Sequence, residues 1–243
     1  MPDAVSTVKS AYAKGAQALG RGLTRVGVLP EQPPARQQRL KHWAFSLTRA
    51  HDSLGISELD VPWWTYGAID AVEAFIDGRD GDVHAFEWGS GASTIWLARR
   101  VRRVDSVEHH RGFGEMIQAR LADSSPNANL QIVEAVASDH PVVGSHKEGH
   151  ARLDFAAYVA HIDGVATARA HAFDLIVVDG RAREACLRAA LPHLAEGGIV
   201  VFDNTMRRRY RAAIDALPVN ETRYRGLTPT LPYPDQTSII TAR

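Results

Sequence analysis

One stretch of the chain decides the fold: Phe86-Glu87-Trp88-Gly89-Ser90-Gly91-Ala92-Ser93-Thr94. The pattern predicts a short apolar strand that ends at Trp88, a tight glycine turn, and a helix that starts near Ala92. An acidic residue, Glu87, stands just before the turn, and a second, Glu108, ends the next apolar strand. Ligands of parallel sheets bind beyond the carboxyl ends of the strands. The stretch therefore predicts a crevice that binds a nucleoside.

The sequence on either side of this stretch alternates strands with helices. The expected strands lie at 83–88, 104–108, 130–136, 173–178 and 199–202. Two further extended segments, near 222–224 and 237–241, have only a long loop between them and should pair antiparallel. The prediction is an α/β fold with a doubly wound, mostly parallel seven-stranded sheet and an antiparallel C-terminal hairpin. Its main domain spans 42–243, with an insertion at about 137–171.

Composition places the chain among soluble globular proteins. It has 243 residues, 45% hydrophobic and 23% charged, with a formal net charge of zero. A neutral chain creates no overall field for nucleic acid, so no nucleic-acid partner is expected. The single cysteine, Cys186, allows no intrachain disulfide, which favours a cytoplasmic location. No apolar run is long enough to span a bilayer, so no transmembrane segment is expected.

The first 41 residues are more basic than the rest. They hold seven Lys or Arg against two acids. This segment, 1–41, is either a tail or cap helix, or a basic helix that contacts an anionic membrane surface or a partner. A homodimer interface is a further interpretation of the same segment.

Two details of the glycine turn favour S-adenosylmethionine over a dinucleotide. A dinucleotide fingerprint has a third glycine where this chain has Thr94. The carboxylate of Glu87 would be unfavourable beside a pyrophosphate, but it suits a cationic amino-acid moiety. Glu108 alone does not discriminate, because its spacing from Gly89 is shared with NAD-binding folds.

Three segments carry a family resemblance: Glu87-Trp88-Gly89-Ser90-Gly91, Ser106-Val107-Glu108 and Phe173-Asp174-Leu175-Ile176-Val177-Val178-Asp179-Gly180. Over roughly 60–243 the chain resembles a class I S-adenosylmethionine-dependent methyltransferase with a Rossmann-like fold. The resemblance implies that the glycine loop contacts the methionine part of the cofactor, that Glu108 holds the ribose, and that 135–138 meet the adenine. The implied cofactor-binding residues are Glu87, Gly89, Ser90, Gly91, Ser93, Glu108, His109, Ala137 and Asp179. For Ser93, helix capping is an equal alternative.

A second group of polar residues follows strands four and five of the predicted sheet. Asp179 ends the fourth strand, and Asp203-Asn204 end the fifth. Oxygen ligands that converge there would suit Mg²⁺. The pattern is similar to that of the catechol O-methyltransferase group and the metal-dependent sugar O-methyltransferases. The resemblance implies Asp179, Asp203 and Asn204 as metal ligands, with both aspartates catalytic through a metal-polarised hydroxyl. The alternative is that these residues hold loops or cap helices without metal.

The chain departs from the catechol-type enzymes after the first aspartate. Those enzymes have a lysine base, whereas this chain has Gly180-Arg181-Ala182-Arg183. Arginine stays protonated, so Arg181 or Arg183 is expected to clamp an anionic substrate group. The base is then an aspartate, the metal, or a histidine that the sequence does not identify. Trp64 and Tyr66 either wall the substrate or the cofactor, or pack in the core.

The expected function is S-adenosylmethionine-dependent methyl transfer to a hydroxyl of a small molecule, a sugar or natural product, assisted by Mg²⁺. The alternatives are a metal-independent methyltransferase, an aminopropyltransferase on the same fold, and a non-catalytic binding domain.

Overall fold

A computed structural model describes Arg25 and residues 30–49, 53–122 and 124–243. The helices are α1 Arg39–Arg49, α2 Ser53–Glu58, α3 Tyr66–Asp77, α4 Ala92–Ala98, α5 Arg111–Ala122, α6 Ala156–Arg169, α7 Arg183–Ala190 and α8 Arg208–Asp215, with a 3₁₀ turn at Leu191–His193. The strands are β1 His84–Trp88, β2 Arg103–Glu108, β3 Ala128–Ile132, β4 Val136–Ala137, β5 Leu153–Asp154, β6 Phe173–Val178, β7 Leu194–Phe202, β8 Val219–Gly226 and β9 Asp235–Ala242.

The main sheet has seven strands in the order β3-β2-β1-β6-β7-β9-β8. The first five strands in this order (β3, β2, β1, β6 and β7) pair in parallel. Strand β9 pairs antiparallel with both β7 and β8. This confirms the predicted sheet and its C-terminal hairpin. The chain order reverses between β1 and β6, because β2 lies on one side of β1 and β6 on the other. Such a switch point opens a crevice at the carboxyl ends of the two strands.

The core lies on both faces of the sheet, as expected for strands buried on both sides. Along β6, Leu175 and Val177 pack into one apolar cluster, while Ile176 and Val178 pack into the other. Alternate side chains of a strand point to opposite faces, so this continuous apolar run serves both clusters. Packing on both faces fixes the central strands, and these strands position the loops at their carboxyl ends.

Some element boundaries differ from the predicted ones. The sequence predicts a helix with Pro62 at or near its first turn, but helix α3 begins at Tyr66. The residue before it, Thr65, donates from its hydroxyl to the Tyr224 carbonyl of the C-terminal hairpin at 3.0 Å. The sequence also predicts a helix over 183–194 that stops at Gly197-Gly198, whereas α7 ends at Ala190 and the Leu191–His193 turn follows. Strand β7 then begins at Leu194 and runs through that glycine pair.

Most of the basic segment 1–41 lies outside the described residues, so its predicted roles as tail, cap or membrane contact stay predictions. Helix α1 starts inside this segment and continues past its expected boundary. Arg36 and Arg39 form ion pairs with Asp70 and Glu73 of α3. The end of the segment is thus packed on the main domain. Among the described residues, no helix combines the length and apolarity needed to cross a membrane.

Candidate functional site

A cavity of about 400 Å³ opens beyond the carboxyl ends of β1, β2 and β6. It is lined by Glu87, Gly89, Ser90, Ser93, Glu108, His109, His110, Phe113, Lys147, His150, Asp179, Gly180 and Arg181. Seven of the nine cofactor-binding residues expected from the sequence are in this set. Gly91 and Ala137 are not. The switch point of the sheet and the acid-bearing strand ends therefore meet at one cavity.

Two glycines let the loops after β1 and β6 approach each other closely. Gly89 has a φ of +103°, a conformation that L side chains rarely adopt. At Gly180, a Cβ atom would lie 2.0 Å from the Tyr158 hydroxyl and 2.9 Å from the Gly89 nitrogen. No side chain fits at Gly180 unless the neighbouring backbone moves. The two loops thus bring their backbones to the wall of the cavity.

Glu87 holds the glycine turn in place through hydrogen bonds to the helix that follows it. Its buried carboxylate accepts hydrogen bonds from Ser93, from Thr94 at 2.6 Å and from Ser106 at 2.9 Å. The Thr94 hydroxyl also accepts the Gly91 N–H at 3.0 Å. Burial raises the pKa of Glu87 to about 7, although the three hydroxyl donors oppose this. Thr94, at the position of the third glycine of dinucleotide folds, therefore ties the turn to the acid.

Glu108 is held by the start of the following loop. Its Oε1 accepts the backbone N–H groups of His109 and His110, each at 2.9 Å, and lies 2.7 Å from His109 Nδ1. Its Oε2 accepts the Ser90 hydroxyl at 3.0 Å. Burial alone would raise the pKa of Glu108, but His109 and these donors together lower it below its ordinary value. Glu108 is thus ionised, and Oε2 has acceptor capacity left for a ligand.

The rim formed by β6 and β7 contains an arginine between the residues predicted to bind metal. Arg183 donates from Nη2 to the Asp179 carboxylate at 2.6 Å and to its carbonyl at 2.8 Å. Its Nη1 donates to the Asp203 carbonyl at 2.9 Å and to Asn204 Oδ1 at 3.1 Å, and Nε donates to the Gly180 carbonyl at 3.0 Å. A guanidinium has five N–H donors, so every one of them is used.

These contacts do not fit a divalent cation at Asp179, Asp203 and Asn204. The guanidinium already supplies the positive charge and occupies oxygen lone pairs that a metal would need. Asp203 also accepts the Thr237 hydroxyl at 2.7 Å, and burial together with Asp179 raises its pKa. In the part of the chain that is described, no three His, Cys, Asp or Glu side chains are grouped to bind a metal. The expectation of Mg²⁺ is therefore not supported.

Three other expected site residues do not line the cavity. Trp64 and Tyr66 are buried in the core; Trp64 packs edge-to-face on Trp96, and the Tyr66 hydroxyl bonds His42 Nδ1 at 2.6 Å. The Trp64 indole also interacts with the carboxylate of Asp179, which lines the cavity. The structure favours core packing for Tyr66 and for Trp64, and Trp64 in addition adjoins the cavity through Asp179. Ala137 is exposed in β4, which pairs with β5, and it is not among the lining residues of the cavity.

His150 lines the cavity, although no motif or spacing in the sequence distinguishes it from the other histidines of the insertion. It belongs to the insertion, and its ring stacks on Phe155 with 11° between the planes. Burial, with the charges of Arg181 and Lys147, lowers its pKa below the ordinary value for histidine. Its Nδ1 is buried without a hydrogen-bond partner among the described residues. The insertion therefore brings a neutral imidazole to a cavity otherwise rich in carboxylates.

Comparison with known proteins agrees with this geometry. Residues 86–205 match the model of a family described as a methyltransferase domain. An O-methyltransferase from Bacillus cereus, solved in complex with SAH, has the same fold, with a TM-score of 0.54 and 15% identity over 95% of this chain and 100% of that chain. A putative caffeoyl-CoA O-methyltransferase from Staphylococcus aureus gives a TM-score of 0.47 and 13% identity, covering 74% of this chain and 85% of that one.

A putative rRNA-methylase from Clostridium thermocellum gives a TM-score of 0.49 at 12% identity, over 74% of this chain and 98% of that chain. No curated protein matches the sequence. Identities this low show a shared fold and carry no substrate over to this chain. The family match spans the glycine turn, both acid-bearing strand ends and the rim, so the part of the chain that forms the cavity resembles the class I S-adenosylmethionine-dependent methyltransferases.

Proposed function

We propose that this protein transfers the methyl group of S-adenosylmethionine to a hydroxyl oxygen of a small molecule, and that it does so without a metal ion. One observation carries the proposal: a neutral His150 lines the same cavity as the two strand-end acids, Glu87 and Glu108. An amine can attack a methyl donor unaided, whereas a hydroxyl benefits from a base that removes its proton. His150 provides such a base.

The acids of the cavity suit the two polar ends of the cofactor. Glu108 would accept hydrogen bonds from the ribose hydroxyls on Oε2. Glu87, with Ser93 beside it, would hold the positively charged amino group of the methionine part. His109 and Phe113 supply ring surfaces beside Glu108 for the adenine. Such contacts orient the cofactor so that the acceptor oxygen can approach the methyl carbon in line.

When bound, the cofactor supplies an electrophilic methyl group on a sulfonium sulfur. Asp179, whose side chain is 22% exposed, would accept a hydrogen bond from the acceptor, while Arg183 keeps that carboxylate in place. His150 would take the hydroxyl proton on Nε2 as the oxygen–carbon bond forms and the carbon–sulfur electron pair returns to sulfur. Asp203 contacts Arg183 from behind and acts as a positioning residue.

Removal of metal ions tests the proposal most simply. Protein treated with EDTA should retain full methyl transfer to its acceptor, found by screening sugars and phenols with radiolabelled cofactor, because Arg183 already provides the positive charge at the rim. Activity lost with EDTA and restored by Mg²⁺ would contradict the metal-free mechanism. Failure to bind either S-adenosylmethionine or S-adenosylhomocysteine would defeat every methyltransferase function.

Substitution of His150 by glutamine should lower kcat roughly 100- to 10,000-fold, the usual contribution of a general base. Because the pKa of His150 lies below its ordinary value, the wild-type rate should be level near pH 7 and fall as the pH drops and the imidazole takes up a proton. The variant should lose this acid limb while its cofactor affinity stays the same. His140→Gln, an exposed histidine of the same insertion, is the matched control. Equal effects of the two substitutions would reject the role.

Cofactor binding should release protons near neutral pH. The pKa of Glu87 is about 7 without ligand, and a cationic amino group beside it favours the ionised form and lowers that pKa. Up to about half a proton per bound S-adenosylhomocysteine should therefore leave at pH 7. Calorimetry in buffers of different ionisation enthalpy measures this. Glu87→Gln should abolish the release, and the exposed Glu115→Gln should keep it; proton uptake would contradict the placement.

A further inference from the structure

A second cavity, of about 390 Å³, adjoins the first. The two share Lys147, Gly180 and Arg181 as lining residues. The remaining walls of the second cavity are Ser145, His146, Ala182, Glu184, Arg207, Arg209 and Tyr210. It lies beyond the rim of β6 and β7, on the side of the first cavity where Asp179 and Arg181 are found. A molecule that reaches the first cavity from this side would cross it.

The second cavity is strongly basic, although the chain has no net charge. Lys147, Arg181, Arg207 and Arg209 are its cations, and Glu184 is its carboxylate. Glu184 forms an ion pair with Arg209, with Nε and Oε1 3.3 Å apart, although Oε1 accepts no hydrogen bond from the described residues. The remaining cations exceed what the cavity's own acid can neutralise. The first cavity shares two of these cations but contains three carboxylates, Glu87, Glu108 and Asp179, so the second cavity is the more positive of the two.

The arginines of this wall are held in place by Tyr210, a buried residue of α8. The guanidinium carbon of Arg209 lies 4.7 Å from the centre of the Tyr210 ring, and that of Arg207 lies 5.6 Å from it. Arg209 Nη2 also donates to the Tyr210 hydroxyl at 3.2 Å. Guanidinium groups stack well on aromatic rings, and such contacts reduce the entropy lost when a ligand binds. The site is therefore partly pre-organised for an anion.

Arg181 connects the two cavities. Its Nε is buried and has no hydrogen-bond partner within the described part of the chain. A buried donor without a partner costs free energy, which an oxygen of a ligand would recover. Arg183 lies next to it and adds repulsion that an anion would relieve. Arg181 therefore has a donor available for an anionic ligand at the junction of the two cavities.

We propose that the second cavity binds a phosphate or carboxylate group of the methyl acceptor, through Arg181, Arg207 and Arg209. This inference rests on the proposed function, because it names the class of acceptor: a small hydroxylated molecule with an anionic group. The anion in the basic cavity anchors the acceptor, and its hydroxyl extends past Arg181 toward His150. The excess of positive charge in the second cavity favours the anionic acceptor there, while the cofactor binds beside the carboxylates of the first.

Calorimetry with two simple anions tests the inference. Inorganic phosphate and acetate are titrated separately into the protein saturated with S-adenosylhomocysteine, at constant ionic strength. We expect one of them to bind with a stoichiometry of one, and the tighter of the two to distinguish a phosphate from a carboxylate group. Arg207→Gln and Arg209→Gln should each weaken this binding roughly 10- to 100-fold, as expected for the loss of one charge-assisted hydrogen bond.

The neighbouring Arg208 supplies a matched control. It is exposed and lies outside the cavity, so Arg208→Gln removes the same charge and should leave anion binding within about twofold of wild type. Equal weakening by Arg208→Gln, or no binding of either anion, would overturn the inference. Binding of S-adenosylhomocysteine, measured first, separates the two proposals: anion binding can fail while the cofactor still binds, and the reverse.

Discussion

Substitution of Glu108 by alanine is expected to weaken S-adenosylhomocysteine binding roughly 100-fold or more. Hydrogen bonds from the ribose hydroxyls to an ionised carboxylate are worth about 1.5–3 kcal/mol each, and the variant loses both. The lowered pKa of Glu108 keeps the carboxylate charged across the neutral range, so its contribution is present at any working pH above that pKa. Calorimetric titration gives the affinity directly.

The control for this experiment is Glu134→Ala. Glu134 follows β3, is exposed, pairs with Arg111 at 2.5 Å and does not line the cavity. The Glu134→Ala substitution removes the same charge, and the affinity of this variant for S-adenosylhomocysteine should stay near that of the wild type. Glu108 also accepts bonds from Ser90 and His109, so thermal unfolding must show that the variant is folded. If folded Glu108→Ala protein binds S-adenosylhomocysteine with unchanged affinity, Glu108 does not bind the ribose.

Arg183→Met should lower the free energy of unfolding by about 3–5 kcal/mol, the usual cost of leaving a buried charge without its partner. The side chain is 8% exposed, and without it Asp179 and Asp203 face each other with no cation between them. Their folded-state pKa values should then rise further. The unfolded chain would bind fewer protons than the folded one, so stability should fall as the pH rises above the ordinary aspartate pKa of about 4.

Denaturant unfolding at several pH values measures both effects. Arg188→Met is the control, because this arginine lies in the same helix but is exposed. Adding Asp203→Asn to Arg183→Met should recover part of the loss and reduce the pH dependence, since one of the two carboxylates is gone. A loss below about 1 kcal/mol for Arg183→Met would mean that another group holds the rim together.

The sequence was sufficient for the fold because its signals are local. The apolar run of β6 was predicted with the bounds Phe173–Val178 that the structure shows, since a strand buried on both faces leaves a continuous apolar pattern. The absence of a helix between the last two strands likewise fixed their antiparallel pairing. Where strands end, the sequence also placed the acids of the cavity, because parallel strands end at one edge of the sheet.

The rest of the site depends on distant contacts. Arg183 was considered for the substrate, but only the path of the first turn of α7 shows that its guanidinium lies between Asp179 and Asp203. His150 reaches the cavity because the insertion is folded back, with Asp154 accepting the backbone N–H groups of Val142 and Val143. No spacing in the sequence encodes such contacts.

A crystal structure of the protein grown with S-adenosylhomocysteine and Mg²⁺ tests the central claim most directly. We expect the ribose hydroxyls on Glu108, the amino group beside Glu87, and the guanidinium of Arg183 unmoved between Asp179 and Asp203 with no ion there. A ligand bound outside this cavity, or a magnesium ion that displaces Arg183 from the two aspartates, would contradict the account.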